Sequence, residues 1–443
     1  MPLPTVRHEN PYVAVQRLVE LPDEEYKAPP PPPFDDSLET FQRPSVPYGH
    51  PLKSMLFTLD PTITMLNHGS FGACPKPVQA VRQAYMDLQE FEPVKFVEDE
   101  SPRLAHVTRV VANYVNAAPR QIVLVPNASA ASTSVLRSFP FTAGDVIVSF
   151  NLEYGSVVHQ IHHASPNLKY HEIQVTAPFS AASILTAFRE ALDSLAGEKI
   201  GMVVVDHITS ESGLIMPIEE IIAICKTQSI PILVDGAHAI GHVPLDLDLL
   251  QPDFYLSNFH KWILAPKSVA FLYIREPNKY RIVPPIISHA DKLGTNAEFS
   301  FIGTLDYSAY LSVPASLAFH TKMGGLELMQ RNHDLCVKAA QKLAKAWNTK
   351  LLTDEVDTMI GSICVVELPH ALFEGVDDVG QALLTLHFVL RKHYQIEAKT
   401  AHVGDILGLR ISVQMYNEQA DYDKLEAAVL DILKKDPKEL ALE

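Results

Sequence analysis

Two residues that close neighbouring apolar runs define the chemistry available to this chain. The run Ile230-Pro231-Ile232-Leu233-Val234 ends in Asp235-Gly236-Ala237-His238, and Phe254-Tyr255-Leu256 leads into Ser257-Asn258-Phe259-His260-Lys261-Trp262. Asp235 and Lys261 are 26 residues apart. A carboxylate closing one strand and a lysine closing the next meet at one edge of a parallel sheet. A lysine amine condenses with an aldehyde to give a Schiff base, and a carboxylate keeps a pyridine nitrogen protonated. Pyridoxal phosphate needs both, because its protonated ring takes up the electron pair left when a bond to a substrate α-carbon breaks. Taken alone, Asp235 reads as a helix cap and Lys261 as a solvated surface lysine. Both at strand ends, they favour the cofactor.

A phosphate requires donors at a helix N-terminus. Asn127-Ala128-Ser129-Ala130-Ala131-Ser132 follows the apolar run Ile122–Val125 and precedes a helical pattern. Its small residues let backbone N–H groups approach an anion, and Ser129 adds a hydroxyl. A serine at a helix start is also an ordinary cap, so this segment counts only beside Asp235 and Lys261.

The elements that must position these groups are legible as alternation. Strands are predicted at 122–125, 146–149, 202–206, 230–235, 254–257 and 269–273, and helices at 77–90, 130–138, 181–195 and 218–227. Buried strands alternating with helices predict an α/β fold with right-handed crossovers and a mostly parallel sheet. A long helix reaching Trp347 and the segments at 362–368, 376–394, 408–412 and 421–434 predict a smaller C-terminal α/β domain. The expected division is 1–45 as a proline-rich extension, 46–325 as the large domain and 326–443 as the small one. The run Pro29–Pro33 with Asp23, Glu24, Glu25, Asp35 and Asp36 around it favours extended geometry and supplies no core.

The bulk numbers exclude several classes. The chain has 443 residues, 47% hydrophobic and 20% charged, enough for a large core and a second unit. A formal net charge of −16 disfavours nucleic acid and anionic membranes as partners. Cys74, Cys225, Cys336 and Cys364 are scattered without a CxxC pair, which fits a reducing compartment. The N-terminus lacks the apolar stretch of a signal peptide, and no apolar run approaches the roughly 18 residues of a membrane span. The expectation is a cytoplasmic protein. His159, His162 and His163 sit close together, but no second cluster completes a ligand set, so no metal is expected.

The set Leu66-Asn67-His68-Gly69-Ser70-Phe71-Gly72, Asn127-Ala128-Ser129, Asp206-His207-Ile208-Thr209-Ser210, Asp235-Gly236-Ala237-His238, Ser257–Trp262 and Gly303-Thr304-Leu305-Asp306 resembles fold-type I pyridoxal-phosphate enzymes. Within them it resembles class V aminotransferases of the isopenicillin N epimerase-like group, which includes fungal hercynylcysteine sulfoxide lyase and the loline-pathway Mannich cyclase. The resemblance spans about residues 46 to 435. It implies that Lys261 carries the cofactor and later acts as acid and base at the substrate, that Asp235 pairs with the ring nitrogen, and that Tyr154 stacks on the ring. It implies His238 and Ser210 near the ring hydroxyl, and Ser129, Ala130, Asn258 and His260 around the phosphate. Gly303 and Thr304 are implied as a phosphate contact from a second subunit, hence a homodimer with shared sites. Arg410 is implied for the substrate carboxylate, and Asn67, His68, Ser288 and His289 for substrate contact.

The group shares removal of the α-hydrogen from an amino-acid substrate. In the hercynylcysteine sulfoxide lyase-like pattern a cysteine stands two residues after the Tyr-Gly pair; here that residue is Val157. Cys364 lies in an apolar strand-like run, and Cys74 lies in a loop near the site. The first expectation is therefore a Mannich-type cyclisation, forming a C–C bond within an amino-acid substrate in fungal-type secondary metabolism. C–S lysis, epimerisation and transamination stay open, as does a non-catalytic binding protein on the same fold.

Overall fold

The computed structural model describes residues 11–31 and 41–435. Seven strands form the larger sheet: β1 Ile122–Val125, β2 Val146–Phe150, β3 Lys169–Ile173, β4 Ile200–Asp206, β5 Ile232–Asp235, β6 Phe254–Asn258 and β7 Ala270–Ile274. Their order across the sheet is β1-β7-β6-β5-β4-β2-β3. Only β7 runs against its neighbours; the other pairings are parallel. Every residue of β1, β2, β5, β6 and β7 is buried, as a sheet covered on both faces requires. One apolar cluster, including Val203, Val205, Val234 and Phe271, fills one face; a second, including Val204, Leu233, Leu256 and Leu272, fills the other.

The alternating α/β pattern is thus realised, with six strands found close to their predicted positions. β3 is the exception. Its sequence Lys-Tyr-His-Glu-Ile buries only Ile173, because it is the sheet edge and one side faces water. The helices Glu100–Tyr114, Gly155–Ala164 and Val313–Lys322 also escaped the sequence reading.

A second sheet, in the order β9-β10-β8, is antiparallel and built from β8 Ile363–Glu367, β9 Lys399–Val403 and β10 Ile406–Ser412. The helices Leu326–Trp347, Val379–Tyr394 and Gln419–Ile432 share one apolar cluster with it. Thr64–Met65 pairs in parallel with Ile396–Glu397, tying the chain before the large sheet to the C-terminal region.

Part of the proline-rich extension is helical. Residues Pro11–Glu20 form a helix in which Val15 and Val19, one turn apart, bury against Ala105. So this part of the extension does supply a small core. Pro32, Pro33, Asp35 and Asp36 lie outside the described residues. Among the described residues, no helix is long and apolar enough to cross a membrane.

Candidate active site

The parallel strands deliver their polar ends to one rim, where such sheets bind ligands. β4 ends at Asp206, and β5 ends at Asp235, directly opposite it in register. Past Asp235 the chain turns at Gly236, where a Cβ would stand 2.3 Å from the Tyr255 ring. Only glycine admits that approach. The Asp235 carboxylate is 3% exposed and its Oδ1 accepts the Ala237 N–H at 2.8 Å. Burial raises its pKa, with that hydrogen bond and Lys261 opposing the shift.

β6 ends at Asn258, whose Oδ1 accepts the Ala128 N–H at 3.0 Å. This fixes the helix Ala128–Ser138 against the rim. Asn127 caps the helix by accepting the Ala130 N–H at 2.8 Å, so that amide is already engaged, while Ser129 faces the cavity. Lys261 is buried, with Nζ 2.6 Å from His238 Nε2. Burial lowers its amine to about 7, with Asp235 resisting and Arg410 assisting.

One cavity of about 330 Å³ gathers Ser129, Tyr154, Ser210, Asp235, His238, Asn258, His260, Lys261 and Arg410. Of the residues expected around the cofactor, Ala130, Gly303 and Thr304 do not line it. Neither do the expected substrate residues Asn67, His68, Ser288 and His289. Asn67 stands behind Arg410, its Oδ1 accepting from Arg410 Nη2 at 3.3 Å and from Ser70 Oγ at 2.6 Å. His68 is fully buried: its Nε2 bonds the Lys261 carbonyl at 2.9 Å and its Nδ1 the Tyr416 hydroxyl at 2.8 Å. Burial lowers its pKa to about 4 and leaves it neutral, so the ring orients the Lys261 backbone. Ser288 donates to the Phe301 carbonyl, and His289 and Thr304 are exposed.

Arg410 is 1% exposed. It donates to the Ser210 carbonyl and to Ser70 Oγ at 2.6 Å, while its Nε–H is buried with no partner among the described residues. Burial lowers its pKa to about 10, which leaves it charged at neutral pH. Sequence reasoning missed Glu153, Asp206, Glu211 and Lys399. Asp206, Glu211 and Lys399 line the cavity, and the last two form an ion pair. An adjoining cavity of about 420 Å³ shares Tyr154, Ser210 and Glu211 with the first and reaches the β9–β10 turn at Gly404.

A family model described as Aminotransferase class-V matches residues 94–425. The chain belongs to this family. It is 31% identical over 405 residues to an L-cysteine desulfhydrase of Arabidopsis thaliana, covering 84% of this chain and 88% of the relative. It is 26% identical over 428 residues to "L-cysteine desulfhydrase-like protein lolT1" of Epichloe uncinata (85% and 94% covered). With the isopenicillin N epimerase of Streptomyces clavuligerus it shares 27% over 398 residues (85% and 96% covered). Among solved structures, apo cysteine desulfurase from Thermococcus onnurineus NA1 superposes with a TM-score of 0.74 at 18% identity, over 88% of this chain and 100% of that one. The expected resemblance and fold therefore hold. The protein is an enzyme and its cofactor is pyridoxal 5′-phosphate. The cavity fits that group: Asp235 and Lys261 stand at successive strand ends, a helix N-terminus opens beside Ser129, and His260 Nδ1 is buried without a partner among the described residues.

Proposed function

We propose that this enzyme is a lyase that eliminates the sulfur substituent of L-cysteine or a close analogue, converting it with water to hydrogen sulfide, pyruvate and ammonia. The observation that carries the reading is that, among the described residues, no cysteine lines the Lys261 cavity or the one adjoining it. β-Elimination needs no protein thiol, whereas transfer of sulfur onto the protein does. Cys74 lies nearby, but burial raises its thiol to about 12, far from the thiolate such transfer uses. The desulfhydrase name of a relative at 31% identity supports the same choice and shifts the preference away from cyclisation.

Bound pyridoxal phosphate supplies a ring that accepts negative charge from the substrate α-carbon. Asp235 holds the ring nitrogen protonated. Ser129, Asn258 and the helix N-terminus hold the phosphate. Arg410 binds the substrate carboxylate, its free Nε–H donating and its guanidinium already oriented by Ser70 and Ser210. Lys261 takes the proton from the α-carbon; the sulfur then leaves the β-carbon with the C–S bonding pair as hydrosulfide and picks up a proton to give hydrogen sulfide, and the released 2-aminoacrylate takes up water to give pyruvate and ammonia. Tyr154 covers the ring from the cavity mouth.

Supplying L-cysteine and measuring sulfide and pyruvate tests this directly. Equal release of both supports it, and cysteine returned unchanged or merely racemised overturns it. The second reading is intramolecular C–C bond formation of the Mannich type, as first expected. The adjoining 420 Å³ cavity favours it, being room that free cysteine leaves unused. We further propose a homodimer in which Ser288, His289, Gly303 and Thr304 reach the partner's site, since they do not line their own. Exposed Ile286, Ile287 and Leu305 beside them support a covered face. The division at residues 45 and 325 belongs to the same proposal.

A further inference from the structure

Two carboxyls beside Asp235 have no part in the chemistry above. Asp206 stands directly opposite Asp235 on the neighbouring strand, is 5% exposed, and its Oδ2 has no hydrogen-bond partner among the described residues. Glu153, on the loop after β2, sends its Oε2 into the same place, also buried and without a partner among the described residues. Oxygens of all three acids lie within 4.8 Å of one another. Glu153 has one local donor, the Tyr154 N–H at 3.2 Å.

Three like charges packed this closely in a dry site do not all ionise; one proton stays between them. Resting on the cofactor reading, we propose that Glu153 and Asp206 share a single proton and so present one negative charge that reinforces Asp235 in keeping the cofactor's ring nitrogen protonated. They are positioning residues, acting through Asp235. The groups facing them are Asp235 from β5 and Lys261 from beyond β6, with Tyr170 on β3 sensing Glu153 and Tyr255 on β6 sensing Asp235. Arg410 acts on Lys261 and His238 from β10. His207, next in sequence, is turned away onto the Tyr255 hydroxyl at 2.7 Å. Burial first, then repulsion from Asp235, raises Glu153 well above an ordinary carboxyl, and burial followed by repulsion from Glu153 and Asp235 does the same to Asp206, in accord with a retained proton.

The test uses holoenzyme loaded with cofactor labelled with ¹⁵N in the ring, whose chemical shift reports protonation as pH is raised. In the Glu153→Gln/Asp206→Asn variant the ring nitrogen should lose its proton at a pH lower by about one unit, a tenfold change in that equilibrium. Each single variant leaves one carboxyl that carries the whole charge, so its ring nitrogen should titrate close to wild type; should the double variant fail to fold, the melting readout decides. A second readout needs no cofactor. These carboxyls have folded pKa values above their unfolded ones, so stability present at acid pH is lost as pH rises towards the folded values. The apo form of Asp206→Asn should therefore gain melting temperature over wild type on going from acid to neutral pH. Wild type that binds no ring overturns the cofactor reading itself. Wild type with a protonated ring, alongside a double variant that titrates with it or an apo Asp206→Asn that melts in parallel with it, overturns this proposal alone.

Discussion

Lys261 Nζ lies 2.6 Å from His238 Nε2. The other ring nitrogen, Nδ1, accepts the Trp262 indole N–H at 3.4 Å, and an indole only donates. Burial keeps the imidazole neutral, so its one proton sits on Nε2 and is donated to the lysine. That arrangement requires a free-base amine at Nζ. It agrees with a lysine lowered to about 7 and gives the apo-enzyme a nucleophile ready for an aldehyde.

The rate of cofactor capture follows from this. A depressed amine is protonated below about 7 and free above it. Mixing apo-protein with pyridoxal phosphate should show capture accelerating as pH rises through about 7 and then levelling off. A rate still climbing towards the ordinary lysine value of about 10.4 contradicts the assigned environment.

Lys261→Ala removes both the attachment point and the proton-transfer group. Turnover should fall by at least roughly 10²–10⁴-fold, the usual worth of a positioned acid–base group. The visible absorbance of the lysine-linked cofactor should vanish while the fold, followed by circular dichroism, persists.

Arg410→Gln leaves a neutral donor where a carboxylate is to be bound. Charge-assisted bonds of this kind contribute about 1.5–3 kcal/mol, so kcat/KM should drop roughly 10–150-fold. The cofactor spectrum without substrate should stay close to wild type, which separates loss of substrate binding from collapse of the site.

Cys74→Ala and Cys364→Ala test the thiol-free assignment. Cys364 is buried in β8 with its sulfur 3.8 Å from that of Cys336, inside an apolar cluster. Sulfide release should survive both substitutions, measured with dithiothreitol present. Abolition by either one places sulfur transfer on the protein.

Gly72→Ala probes how the N-terminal loop is held. Gly72 has φ +67°, and a Cβ there would meet the His260 carbonyl at 1.9 Å. The backbone cost alone is about 1–3 kcal/mol. Melting temperature and cofactor affinity should both fall, because His260 and Lys261 would be displaced.

What the sequence revealed is what short-range pattern controls. β1, β2 and β4–β7 are buried on both faces, so they read as apolar runs; edge strand β3 has one wet face and reads as polar. Asp235, Asn258 and Lys261 sit at strand ends, where local motif and final position coincide. Asp206 and Glu153 matter only because β4 and the loop after β2 bring them beside Asp235, a long-range meeting that no spacing encodes. His68 shows the converse: Asn67-His68-Gly69-Ser70 has the composition of an exposed turn, yet the fold carries the imidazole beneath the Lys261 carbonyl. Val15 and Val19 likewise read as part of a proline-rich tail until Ala105 is seen to cover them.

The most direct measurement is borohydride reduction of purified holoenzyme followed by peptide mapping. A reduced pyridoxyl adduct is expected on Lys261 and on no other lysine. An adduct elsewhere, or none in protein that has turned over cysteine, would contradict it.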